Sequence, residues 1–209
     1  MKDALKRGAV ALAAIVLFAA LSMANLEPRL AYEGAALGFL VLPLVCCCLG
    51  PAAGCAVGGA GQALCWLFHY DMHWSILERL WPRLLGAILG SAAAGLILGA
   101  LFLVTRQWEQ PVLRILLGLA AAIAAAAAGL WLIRSLVDTQ MMGFSLQNAL
   151  RRNMDVFQIN GAFLAAGVLP ALGAYRILRK TAPWLCGADA EAQAEYTREN
   201  GKEEKHGGI

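Results

Sequence analysis

Cys48 to Trp74 read CLGPAAGCAVGGAGQALCWLFHYDMHW. The stretch opens apolar and rich in glycine and alanine, then ends in His69, Tyr70, Asp71, His73 and Trp74. It is the second half of a longer run, since no charged residue occurs over the 35 positions from Gly34 to Phe68. As one helix that run would be about 50 Å long, against a hydrocarbon core of about 30 Å. The chain therefore has to turn inside it. Gly50-Pro51 is the best break, because proline lacks the backbone donor, suits a first helical turn and disfavours helix in the residue before it. The run then divides into two short spans, about 34–49 and 51–70.

Working outward, the first apolar run is Gly8–Ala24, behind a basic start, MKDALKR. It is longer than the roughly 7–15 residues of a cleavable signal segment and more spans come after it, so a retained helix is expected. Further spans are expected at about 82–104, 112–134 and 156–178. The composition agrees: 60% of the 209 residues are hydrophobic and 15% charged, where a soluble domain is about half apolar and a quarter charged. The fold class expected is an all-α integral membrane protein, six transmembrane helices in a compact bundle over residues 1–182. Residues 187–209 are polar, without apolar period, and are expected to form a disordered tail.

Six spans put both termini on one side. With that side inside, eleven of the 17 lysines and arginines, and every lysine, fall on inner segments. The positive-inside rule then predicts a multi-pass plasma-membrane protein with cytoplasmic termini. The cysteines are Cys46, Cys47, Cys48, Cys55, Cys65 and Cys186, in neither a CxxC nor a zinc-type pattern. Five lie in apolar segments, where cysteine behaves as a small core residue.

Small residues four apart let helices approach closely in lipid. Gly50, Pro51, Gly54 and Gly58 open the third span, and the glycines form a stripe that Gln62, Trp66 and Tyr70 continue. Gly86, Gly90 and Ala94 repeat the device on the fourth span. On the first, Ala9, Ala13, Ala20 and Ala24 lie along one face, as an inner packing seam or as a flat seat for another membrane protein. Pro43 and Pro170 are expected inside the second and sixth spans, each freeing a carbonyl four residues earlier.

The outer loops are the longer ones, and loops on a rigid scaffold tend to carry binding. The third, Ser135–Asn160, mixes amides and acids with Met141, Met142, Phe144 and Leu146, the pattern of a lid or a short amphipathic helix over the bundle mouth. Tyr70, Asp71, His73 and Trp74 are candidate substrate-binding residues; an interfacial aromatic belt is the alternative for the aromatics. His69 and His73 have helical spacing for a metal, but no third ligand is obvious. At the sixth span, Asn153 and Asn160 share a face, and Asp155 and Gln158 an adjoining one. Polar groups at membrane depth are costly unless they face protein or water, which makes Asn153, Gln158 and Asn160 pocket candidates.

Leu49 to Leu64, LGPAAGCAVGGAGQAL, resembles the GP-x-x-G-x-x-x-G segment that opens the third helix in substrate-binding S components of energy-coupling factor vitamin transporters. The final FQINGAFLAAGVLPALGAYRILRK is similar to that family's last helix with its basic end. The resemblance covers about residues 5–180. It implies a subunit that captures a vitamin or similar small solute on the outer side and docks on a membrane coupling subunit carried by two ATPase subunits. Ala9 and Ala13 match the family's alanine face toward that coupling subunit. Nickel and cobalt members carry an early histidine that MKDALKR lacks. No GxxxxGK[ST], HExxH or GxSxG is present, so the chain is expected to be no enzyme and to use no cofactor or metal. Its expected partners are the solute, lipid and those subunits, with no nucleic acid. Two rival readings are a non-transport membrane scaffold and an intramembrane enzyme using His69, Asp71 and His73.

Overall fold

Proline and glycine set both boundaries of the helices Leu42–Leu49 and Pro111–Met142 and the start of Pro51–His69. The computed structural model describes residues 2–23, 37–69, 74–105 and 110–187, with backbone alone at 69 and 74–80. Helix α1 is Lys2–Met23. A 3-10 turn at Leu37–Leu40 leads into α2, Leu42–Leu49. Pro43 lies in the first turn of α2, where its missing N–H would have had no helical partner, so it starts a helix rather than kinking one. Gly50 ends α2 at φ 88°, a conformation that side-chain-bearing residues rarely adopt. Pro51 then opens α3, Pro51–His69.

Helix α4 is Trp74–Thr105, with Pro82 inside it. The expected second outer loop is therefore helical from Trp74 onward. Helix α5 is Pro111–Met142 and contains a π-helical segment, Ala126–Ile133. Then come α6, Leu146–Arg152, and α7, Met154–Thr181, with Pro170 in its interior, and a closing 3-10 turn at Pro183–Leu185. No strand occurs among the described residues.

Among the described residues, four helices are long and apolar enough to cross a membrane: Lys2–Met23, Trp81–Thr105, Pro111–Met142 and Met154–Thr181. The apolar stretch Leu37–Leu49 is shorter, about 20 Å of helix at most. α3 has 19 residues, but four glycines and Gln62 dilute its apolarity. The described residues are thus all-helical and fit a membrane protein; four of the six expected spans have a helix of spanning length.

The long third loop is also corrected. α5 carries on through Arg134–Met142, because nothing after the apolar run breaks a helix until Gly143, which adopts the left-handed conformation at φ 69°. Ser145 then caps α6, its hydroxyl accepting the Asn148 N–H at 3.4 Å. Only residues 143–145 and Asn153 are left as connections between helices.

Both described chain ends meet at one end of the bundle, here the terminal end. The Arg7 guanidinium donates to the Leu185 carbonyl from Nε at 3.4 Å and Nη2 at 3.2 Å. Lys6 lies 5.4 Å from the Trp184 ring centroid. The opposite, distal end carries the junction of α5, α6 and α7.

The tightest seam joins α3 to α4 through small residues. A Cβ on Gly54 would stand 2.6 Å from the Gly95 carbonyl oxygen, and one on Gly58 would overlap that of Ser91. The Cys46 thiol of α2 donates to the same Gly95 oxygen at 3.3 Å. Phe18 of α1 fills the space beside Gly38 and Gly61 and meets Phe39 edge-on, ring centroids 5.2 Å apart. In α5 the alanine run buries Ala121, Ala122, Ala125 and Ala126.

Candidate functional site

The distal end holds a set of polar side chains buried against the bundle. Arg134, Ser135 and Asp138 of α5 are buried, as are Asn153 at the α6–α7 junction and Asn160 of α7. Asn153 Nδ2 donates to Asp138 Oδ2 at 2.9 Å and to Ser135 Oγ at 3.1 Å. Asn153 thus ties the end of α5 to the start of α7. Asp138 Oδ1 is buried and has no hydrogen-bond partner among the described residues. An unsatisfied buried acceptor is costly.

Two features of sequence build this arrangement. The first is the π segment, in which the Arg134 N–H reaches back to the carbonyl of Gly129, five residues earlier. Such wide turns rotate the helix beyond them and occur frequently at functional sites. Beyond the π segment Arg134 and Asp138 lie on the face that meets α4, and Ser135 meets Asn153. The second is glycine on α4. A Cβ on Gly86 would stand 3.6 Å from Asp138 Oδ1, and one on Gly90 would stand 3.5 Å from the Arg134 Cβ and 2.9 Å from the Gly129 oxygen. These glycines leave room for two charged residues that a bulkier neighbour would crowd at this depth.

Aromatic residues close the rim. The Trp131 indole donates to the Leu150 carbonyl of α6 at 2.9 Å, and its ring lies 5.8 Å from that of Phe157. Arg152 lies 5.4 Å from the Phe144 ring centroid. The short helix α6 is thereby pinned over the polar set. Among the described residues, no three His, Cys, Asp or Glu side chains converge as metal ligands would.

Of the residues singled out in the sequence, Asn153 and Asn160 are buried at this end, whereas Gln158 is exposed and Asp155 is exposed. Tyr70, Asp71 and His73 lie outside the described residues, and Trp74 opens α4 with its side chain outside them. Gly54 and Gly58 face α4, and Pro51 and Gly50 face Gly99. Ala9, Ala13 and Ala20 are exposed, and Ala24 lies outside the described residues. Ala13 also edges an apolar groove of about 230 Å³ that α1 shares with α2.

Sequence reasoning missed Arg134, Ser135 and Asp138 as site residues. The signal was there: spacing of one and four residues, in a segment free of glycine and proline, directly after an apolar helix. It was masked by treating the first charge as the end of the helix. Gln62, read only as part of a stripe, is also buried, with Oε1 unpaired among the described residues. The register that sets Gly54 on Gly95 and Gly58 on Ser91 brings it level with Ala87.

No family model, no curated protein and no solved structure matches this chain.

Proposed function

We propose that the chain is the solute-capturing subunit of an energy-coupling-factor type transporter, binding a vitamin or similar small organic molecule at the distal end. The observation that carries this reading is the buried polar set around Asp138, whose second oxygen is left for a donor that the described residues do not supply. The proposal counts α2 and α3 as two further spans, six in all, and takes the terminal end as cytoplasmic because the lysines cluster there. The distal end then faces outward, where solute arrives. Uptake requires separate coupling and ATPase subunits, since the chain has no phosphate-binding loop. The exposed alanines Ala9 and Ala13 are the proposed contact with the coupling subunit.

The test is a panel of water-soluble vitamins assayed by thermal stabilisation of the purified protein, followed by calorimetry on any that stabilise it. Asn160→Leu and Asp138→Leu are each expected to weaken binding by about 1–3 kcal/mol through a lost buried hydrogen bond. Unchanged affinity in both variants would move the site elsewhere. Stabilisation by no solute at all would favour a non-transport scaffold.

A further inference from the structure

At the terminal end, α5 and α7 diverge around a cleft of about 760 Å³ lined by Arg114, Tyr175, Arg176, Arg179 and Lys180. A second cavity of about 200 Å³ shares Arg114 and Arg176 with it and runs deeper, between Ile115, Leu169, Leu172 and Gly173. The two form one groove, cationic at the mouth and apolar below. We propose that this groove binds an anionic phospholipid, with the phosphate held among the four cations and an acyl chain laid in the crevice.

The arrangement of charge asks for an anion. Arg176, Arg179 and Lys180 are spaced by three and four residues, so they share one face of α7 and repel one another. The C-terminal end of α7 offsets part of that repulsion. Arg114 has no such help, because it lies in the first turn of α5, where the helix dipole disfavours a cation and favours an anion. Guanidinium groups bind phosphate through paired donors, and basic pockets between membrane helices suit lipid headgroups.

The crevice selects lipid among the sources of phosphate. Leu169 to Arg176 covers about 10 Å along α7, a path from headgroup level into the hydrocarbon. Beside it, Val112, Leu116 and Ile177 are all more than half exposed, which continues the apolar surface toward the bilayer. An acidic peptide or a free phosphate would satisfy the cations but would leave the crevice unused.

Native mass spectrometry of the full-length protein in neutral detergent provides the test, with dioleoyl phosphatidylglycerol, dioleoyl phosphatidylcholine and inorganic phosphate as probes. The protein is expected to retain the glycerol lipid at least about tenfold more strongly than the choline lipid. The triple variant R176Q/R179Q/K180Q should lose that preference, at about fivefold per charge. Gly173 lines the crevice and a Cβ there meets nothing within 4 Å, so Gly173→Leu adds apolar bulk to the crevice with no backbone contact at its Cβ. It should fold normally and weaken lipid retention about tenfold while leaving the cations in place. It therefore carries the test if the triple variant fails to fold. Equal retention of the two lipids by the unaltered protein would overturn the proposal. So would normal lipid retention by Gly173→Leu together with displacement by millimolar inorganic phosphate, which would assign the cations to a soluble anion.

Discussion

Gly54, Gly58 and Gly95 on one side of the molecule and Ala9, Ala13 and Ala20 on another look alike in the sequence, as small residues at helical spacing. In the structure they do opposite things. The glycines lock α3 to α4 so closely that a methyl group would meet backbone. The alanines face outward from α1, flanked by Leu5, Leu12 and Val16, all at least 60% exposed. Only 17% of the apolar stretch of α1 is buried, against 33–44% for the other three spanning-length helices. Small residues permit close approach, but which neighbour approaches is decided by the register of a facing helix. For the glycine seam that neighbour is within the chain. For the outward face of α1 the described residues supply none.

The seam should break most severely. Gly58→Leu would push its Cβ into the Ser91 carbonyl, and no flexible side chain is there to yield. The expected loss is about 3 kcal/mol or more, at the upper end for overpacking, and should be read from denaturant or thermal unfolding in detergent. A Gly58→Leu protein as stable as the original would show that α3 and α4 separate freely, and the contrast with α1 would vanish.

Next in size is the distal polar set. Asn153→Leu removes both donors that reach Ser135 and Asp138 and leaves the aspartate buried. A loss of about 2–3 kcal/mol is expected from the stranded partners. Asp138→Asn in the same background should recover part of it, since a neutral group costs less to bury. Thermal unfolding of the single and double variants measures both. Additive losses would mean that the two residues do not act together.

A smaller effect is expected at Gly143. Its φ of 69° is open to glycine without penalty, and Gly143→Ala should cost about 1 kcal/mol. No atom lies within 4 Å of the added methyl, so crowding adds nothing. A stability change near zero would show that the α5–α6 connection relaxes to another conformation.

These sites differ in how legible they were. The break at Gly50-Pro51 could be read because a charge-free run of that length cannot be one span, and an adjacent glycine and proline near its middle make the best place to turn. The helical class came from composition. The extent of α5 did not, because charge was read as a boundary while backbone continuity depends on breakers, and the first effective one is Gly143. The π segment was invisible, since alanine and leucine fit α and π turns alike. Asn153 was picked for its distance from Asn160 along one helix, yet it sits between two helices and bonds to α5. Gln158 shares the chemistry of its neighbours but is turned outward by helical phase. Residue type suggested polar pairing at this end, but the partners were set by a fold-dependent rotation of α5.

The smallest effect on stability should come from the alanine face, and it is the most informative about partners. Ala13 is exposed beside the groove between α1 and α2, so Ala13→Trp adds bulk where there is room for it. Surface changes of this kind stay within about 0.5 kcal/mol. Unfolding and solute affinity of the isolated protein should therefore match the original. On the proposed function, uptake by cells that supply the coupling and ATPase subunits should fall sharply, because an indole at this position holds a neighbouring helix away from the alanine face. The same substitution at a buried seam would reverse the pattern, with stability lost first. A large drop in unfolding temperature would thus mean that α1 packs more deeply than its exposure indicates. Normal uptake by a folded, solute-binding Ala13→Trp protein would remove the coupling subunit from this face, and the exposed leucines and alanines of α1 would then be lipid contacts alone.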